Sequence, residues 1–541
     1  MGGPGLAHVQ QSDARVPSRV GAYAWYALFV LVIIYTVNFI DRQILSILAE
    51  DIKRDLKVDD AQIGFLYGTA FAVFYALFGI PLGRLADSWY RGRLMAIGLT
   101  LWSSMTALSG FAGSFTTLAL CRVGVGIGEA SASPAAYSMI SDMFPKERRA
   151  TALSIYSAGL YIGGGLALPI GGFVLSRWNL AYPDAALAPL GLTGWQAAFI
   201  AVGLPGLFLA AWMLTLREPQ RGAMDGHLQP NARPGAWADF GRELVAILPP
   251  LTLLSVSRIP GALRPNLIAL AAVIAGAAAL IHLTGTAPQW IAYGIGVYAI
   301  FSWVQSLRHR DPPTHRLIWG TPLVVTMAVA FGTLAFVNYA ASFWTAPYVL
   351  RTFYPDPTGS GLFVAGMKGT EEVALIVGTT GAIFSAIGVI AGGILSDLWR
   401  RRDPRGRLFV CMLAALLPFP VLLYMMTTTN LAGLYLANPL ANLFGSMWVG
   451  ASVASLQDVV LPRMRATAGA TFILGTTMVG LALGPFTAGK VAVLTESLAT
   501  GVLSLFLIAP FTVLALWLVG KRISELEDGK VERAREVGEV V

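Results

Sequence analysis

Charge is scarce in this chain. Only 13% of its 541 residues are Asp, Glu, Lys or Arg, about half the usual share in a soluble globular protein. With 55% hydrophobic residues and a mean hydropathy of +0.64, that shortage excludes an ordinary soluble domain and points to a polytopic membrane protein. Cysteine is nearly absent: Cys121 and Cys411 both lie in apolar runs and neither has zinc-site spacing, which argues against a disulfide framework. With only five histidines, no Walker motif and no metal-ligand cluster, the sequence offers nothing to an enzyme and implies no cofactor. The net charge of +8 does not point to nucleic acid, because the basic residues sit in short loops between apolar runs and set topology there. Residues 1–22 are polar and lack a cleavable signal pattern, so the first span is expected to act as an uncleaved signal.

What is present is apolar sequence in span-sized runs. A span needs about 20 mostly apolar residues, and on that rule six fall near 23–48, 61–82, 94–113, 115–140, 150–176 and 195–216. Six more fall near 317–349, 372–396, 408–427, 431–456, 466–494 and 498–520. A polar connection, 217–264, is followed by two further runs, 265–285 and 288–306, which brings the total to fourteen. The expected organisation is a six-helix bundle over 1–216, a cytoplasmic linker with an extra transmembrane hairpin over 217–316, a second bundle over 317–520 and a cytoplasmic tail over 521–541. Arg and Lys concentrate in 83–93, 145–149, 217–264, 308–316, 397–407, 463–465 and 521–535. These segments all face one side if both termini are cytoplasmic, as the positive-inside rule requires. The expected location is the plasma membrane, or the inner membrane of a bacterium.

The two sets of six repeat one design. Gly83, Leu85, Asp87, Trp89 and Arg91 recur 310 residues later as Gly393, Leu395, Asp397, Trp399 and Arg401. At a shift of 316, Asp142, Arg149-Ala-Thr-Ala152 and Pro169 recur as Asp458, Arg465-Ala-Thr-Ala468 and Pro485. Parallel halves of this kind suit a transporter that rocks around a midplane site.

These motifs resemble a known family. Gly83-x-x-x-Asp87-x-x-x-Arg91-x-Arg93 is similar to the loop signature between helices two and three of the major facilitator superfamily. Arg122-Val-Gly-Val-Gly-Ile-Gly-Glu-Ala130 is similar to its fourth-helix motif. Asn38-x-x-Asp41-Arg42, Asp59-x-x-Gln62-x-Gly64, Gly128-Glu129-Ala130 and Ser141-Asp-Met-Phe-Pro145 resemble the spinster branch, whose members are associated with export of sphingolipids and lysophospholipids. Ser88 and Tyr90 depart from the loop signature, and the 265–306 hairpin is extra. The resemblance implies an all-α major facilitator fold, a monomer, a cavity lined by helices one, four, seven and ten of the twelve, and a signature loop that stabilises the outward-open state through Asp87, Arg91 and Arg93, with Asp397 and Arg401 as a weaker second copy.

Charges inside spans are costly and usually face a cavity or a partner. Asp41 and Arg122 fall at one depth, and Glu129 lies seven residues beyond Arg122 on the same helix face, about 10 Å along the axis. In a shared cavity Asp41, Arg122 and Glu129 are candidates for proton coupling, with Arg122 also a candidate for an anionic headgroup. The opposing expectation is a static buried network that sets helix packing. Arg42, about 100° around the helix from Asp41, either snorkels to the interface, pairs with a carboxylate or joins the headgroup site. In the second half Asn338, Tyr339 and Trp344, and the stripe Asn438, Asn442 and Ser446, are candidates for substrate contact, against the plainer reading that such groups bond a neighbouring helix. The expected function is proton-coupled export of an amphiphilic lipid, lysophospholipid or sphingosine-phosphate-like, in contact with membrane lipid. The alternatives are a proton-coupled exporter of drugs or small organic anions, and a passive lipid scramblase.

Overall fold

A computed structural model describes residues 20–539 except 225–227, 229 and 357. Among these residues the long elements are all helices. The first half comprises α1 (Ala22–Leu56), α2 (Asp60–Ser88), α3 (Arg91–Ser109), α4 (Phe115–Glu129 continued by Ala132–Met143), α5 (Lys146–Ala181) and α6 (Gly194–Leu214). An inserted hairpin follows, α7 (Leu263–Thr284) and α8 (Ala287–Arg310). The second half comprises α9 (Pro322–Phe353), α10 (Gly369–Arg400), α11 (Gly406–Thr427), α12 (Leu431–Ser446 continued by Trp448–Asp458), α13 (Thr467–Thr495) and α14 (Leu498–Gly520). Eleven of the fourteen are long and apolar enough to cross a membrane. Of the other three, α3 is short and rich in Ser and Thr, α4 contains Arg122 and Glu129, and α4 and α12 are each interrupted.

The element starts follow local chemistry. Asp59 caps α2 with its carboxylate on the Gln62 N–H, and Gln62 returns the bond to the Asp59 N–H, a reciprocal cap. Ser114 and Thr117 do the same for α4. The span expected from residue 317 begins instead at Pro322, because Pro312–Ile318 is a separate short helix and the turn at Gly320 ends it. A proline at the first helical position suits a start, since its missing N–H would have no partner there.

The chain enters α1 and leaves α14 at one end of the molecule, here the terminus end. The halves meet tightly at the opposite, far end. Arg351 of α9 pairs with Glu50 of α1 at 2.7 Å and with Asp60 of α2 at 2.6 Å, and Arg177 of α5 pairs with Glu371 of α10 at 2.8 Å. A side chain on Gly64 of α2 would strike the Pro485 carbonyl of α13 at 2.4 Å, so glycine permits the backbones to touch. Among the described residues, the ion pairs between the α1–α6 and α9–α14 helices all lie at this far end.

Candidate functional site

The charged site is built where α1, α2 and α4 converge. Gly126 of α4 lies against the Phe71 carbonyl of α2, which a β-carbon would approach to 2.5 Å, and Gly128 lies equally close to Gly98 and Trp102 of α3. This close packing buries the charges on α4: Arg122 is fully buried and Glu129 is 1% exposed. From α1, Asp41 is fully buried and Arg42 is 7% exposed.

The pairing takes one of the alternatives expected for Arg42. Arg42 donates to Glu129 at 2.6 Å, so it is Arg42 that holds the α4 carboxylate and it does not snorkel to the interface. Its guanidinium also lies 4.7, 4.4 and 5.1 Å from the ring centres of Phe39, Phe71 and Tyr75, contacts worth roughly 1–2 kcal/mol each when desolvated. Arg122 does reach Asp41, as its depth suggested, but through the main chain: Nη1 donates to the Asp41 carbonyl at 3.4 Å. The Asp41 carboxylate accepts no hydrogen bond among the described residues, although the Thr106 hydroxyl lies beside it. Nε and Nη2 of Arg122 and Oε1 of Glu129 are likewise without partners. One ion pair is therefore made and a second acid and base are held close without pairing. Groups so placed can exchange partners after a small shift, and buried unsatisfied polar atoms are rare enough in folded proteins to suggest a role.

Sequence reasoning missed the aromatic cage of Phe39, Phe71 and Tyr75, and it missed α3. Trp102, Ser103 and Thr106 are buried there with unpartnered polar atoms. The spacing of Ser103 and Thr106, one helical turn in an apolar span, was a usable signal.

Just beyond this site, toward the far end, α1 is tied to α9. Ser46 donates to the Phe343 carbonyl at 2.6 Å, Gln43 donates to Ser342 at 3.4 Å, and Tyr67 of α2 donates to Gln43 and stacks on Phe343 at 4.2 Å. The charges therefore lie beneath the sealed end.

The second-half candidates are engaged inside their own half. Asn338 donates to the Gly445 carbonyl at 2.6 Å, and Trp344, fully buried, donates to the Pro485 carbonyl at 3.0 Å. Asn438 donates to Thr380 at 2.8 Å, Asn442 to Asn438 at 3.0 Å, and Ser446 to the Ser385 carbonyl at 2.9 Å. The stripe on α12 thus faces α10. Tyr339 is partly exposed.

At the terminus end the signature loop makes its contacts within the first half. Arg91, fully buried, pairs with Asp142 and with Glu218 at 2.8 Å, and Glu218 accepts the N–H groups of Arg91 and Gly92 at the start of α3. All these partners belong to the first half and the chain that leaves it. Asp87 is exposed and makes no ion pair among the described residues, and Arg93 rests 4.8 Å from the Tyr90 ring centre. In the second copy Arg401 is exposed, whereas Arg407 pairs with Asp458 and lies 3.4 Å from Asp397, and Arg400 pairs with Glu527 at 2.7 Å. Arg407, not Arg401, is the counterpart of Arg91. Across the described residues, no group of three or more His, Cys, Asp or Glu could hold a metal ion.

Comparison with known proteins agrees with this architecture. The sequence profile of the Major Facilitator Superfamily matches residues 31–485. An MFS-type efflux pump of Mycolicibacterium smegmatis is 29% identical over 514 residues, 94% of this chain and 92% of that one. Protein spinster homolog 1 of Xenopus tropicalis is 25% identical over 476 residues, 86% of this chain and 72% of that one. The crystal structure of a bacterial homolog of the human lysosomal transporter spinster, inward-facing and unoccupied, superposes with a TM-score of 0.63 at 24% identity, covering 95% of this chain and 98% of that one. With its two six-helix halves and its buried charges on α1 and α4, this chain belongs to the Major Facilitator Superfamily, as a membrane transporter similar to the spinster branch.

Proposed function

We propose that the chain is a proton-coupled, alternating-access exporter of an amphiphilic lipid with an anionic headgroup, lysophospholipid or sphingosine-phosphate-like. The observation that supports this most is the four-charge cluster in which Arg42 holds Glu129 while Asp41 and Arg122 lie close without pairing. Burial disfavours a charged carboxylate and a neighbouring guanidinium favours it, so the proton affinity of Asp41 depends on where Arg122 points. With Arg122 on the main chain, no cation sits on the Asp41 carboxylate. When the halves rock, Arg122 turns to the carboxylate and displaces its proton. Proton loss and substrate movement are thereby linked.

The orientation belongs to the same reading. The Lys- and Arg-rich terminus end is read as cytoplasmic, which puts the far-end contacts of Arg351 with Glu50 and Asp60 on the outer side. It acts as a monomer.

The test is transport in proteoliposomes under an imposed proton gradient. Asp41→Asn and Glu129→Gln should each abolish gradient-driven movement of a labelled lysophospholipid. If both left it intact, the proton role would be wrong. The M. smegmatis relative, an efflux pump by name, favours a second reading, in which the cargo is a drug or small organic anion. Competition by hydrophilic anions but not by lysolipids would support it. Bidirectional movement that persists after the gradient is collapsed would indicate a scramblase.

A further inference from the structure

The two halves meet along two seams, α5 against α10 and α2 against α13, and the inserted hairpin treats them differently. In the first, close approaches run from Gly165 on Ala382 to Gly172 on Ala374, toward the far end. Nearer the termini, Ile155, Ile390, Ile394 and Leu398 are 40, 63, 58 and 50% exposed. The second seam is also tight toward the far end, where Gly64 lies on Pro485 and Gly489 on Asp60. Toward the termini α8 also packs into this seam. Ala299 of α8 shares one buried core with Val73, Ala76 and Leu77 of α2 and with Leu474 and Met478 of α13.

The polar attachment of α8 is one-sided, while its rings also meet the second half, Trp290 edge-on to Phe486 of α13 and Trp303 to Trp319. Near its start, Gln289 is 1% exposed and lies 2.7 Å from the Thr69 hydroxyl of α2. That hydroxyl is also 2.5 Å from the Ala482 carbonyl, and it has one proton to give. The arrangement that satisfies all three groups has the Gln289 amide donating to Thr69 and Thr69 donating to Ala482. At its other end, Arg310 pairs at 2.7 Å with Glu243, and Glu243 also pairs at 3.2 Å with Arg84 of α2. Glu243 belongs to a surface helix, Ala236–Ile247, that packs on α2. No hydrogen bond or ion pair joins α8 directly to α13 among the described residues. Their contact is apolar, and it adjoins a cavity of about 140 Å³ lined by Ile300 of α8, Val325 of α9 and Leu474, Met478 and Val479 of α13. The next residue changes sides: Asp311 accepts from Arg463, just before α13, at 3.1 Å. The polar contacts of the chain therefore change from one half to the other between Arg310 and Asp311.

We propose that α8 is a side wall carried by the first half, which slides over α13 as the halves rock and keeps the α2–α13 seam closed to lipid, so that an amphiphile enters the cavity from the bilayer through the α5–α10 seam. The route rests on the amphiphile reading above. The attachment of α8 to the first half does not.

The test uses full-length protein with Cys121 and Cys411 replaced. A short reducible cross-link between Val73→Cys and Ala299→Cys should leave transport within about two-fold. The same link between Ala299→Cys and Leu474→Cys should reduce transport more than ten-fold, reversibly with reductant. Fluorophores on unnatural amino acids at positions 154 and 394 report the rocking without any substrate, and only the second link should suppress their distance change. The reverse pattern, two tolerated links or two blocking links would each overturn the wall. A diazirine-bearing phosphatidylcholine in the bilayer should label α5 and α10 near the termini but not Val73, Leu77, Leu474 or Met478. Labelling of those four positions would overturn the closed seam.

Discussion

The two halves share a design but not a chemistry. The first buries Asp41, Arg42, Arg122 and Glu129 between its helices and leaves several of their polar atoms unpartnered. At matching depth the second places Asn338, Asn438, Asn442 and Ser446, and each donates to a neighbour in its own half. A neutral amide satisfied by a backbone carbonyl is a packing device with one stable arrangement. Charges with spare hydrogen-bonding capacity have several arrangements of similar energy. On the proposed reading the first half carries the proton chemistry and the second is scaffold, a division that mutation can break.

The largest effect is expected at the made ion pair. Arg42→Ala leaves Glu129 buried without its cation and should cost about 3–5 kcal/mol, seen as a lower unfolding temperature in detergent together with lost transport. Replacing both partners, Arg42→Met with Glu129→Gln, should recover most of the stability, because neither member of the pair is left charged without the other, but none of the transport. Asp41→Asn separates the two properties in the other direction. Its carboxylate accepts no hydrogen bond among the described residues, so the unfolding temperature should hardly change, while gradient-driven transport falls by more than ten-fold. A large loss of stability in Asp41→Asn would make the first half's cluster structural, like the second half's.

Much of this was legible in the sequence, and what was not has a physical reason. Span number and approximate ends follow from long apolar runs, which the bilayer makes obligatory. The depth match of Asp41 and Arg122 follows from a rise of about 1.5 Å per residue. Which arginine takes Glu129 does not follow, because Asp41 and Arg42 differ by about 100° of helix rotation, and rotation is set by packing such as Gly126 on Phe71. The α12 stripe was visible as a stripe, but the direction it faces depends on α10. The signature loop misled through length: Asp87 and Asp397 are 310 apart, whereas Arg91 and Arg407, like Asp142 and Asp458, are 316 apart. Six extra residues lie between, and Arg401 falls among them.

A smaller effect is expected from the second half's amides. Asn438→Ala removes the donor to Thr380 and the side-chain acceptor for Asn442, but Asn442 keeps the main-chain carbonyl of residue 438 and Thr380 keeps the Ile376 carbonyl, so the loss should be about 0.5–1.5 kcal/mol per bond. The scaffold reading expects that loss in unfolding temperature with an unchanged KM for substrate. A rise in KM at unchanged stability would instead place the α12 stripe in contact with cargo.

The smallest effects distinguish the two copies of the loop. Arg407 is largely buried at 16% side-chain exposure and pairs with Asp458, yet Asp458 also faces Arg400 at 3.3 Å. Arg407→Ala therefore leaves the acid one cation, and the cost should stay near the value of a partly exposed pair, about 1 kcal/mol. Arg401 is exposed and has no ion pair among the described residues, so Arg401→Ala should fall within about 0.5 kcal/mol of the unmodified protein. Unfolding temperatures of the two variants, measured side by side, decide which arginine inherits the role of Arg91. If Arg401→Ala were the more damaging, the six-residue offset would be misplaced and the loop would pair across the halves in a conformation with the terminus end closed.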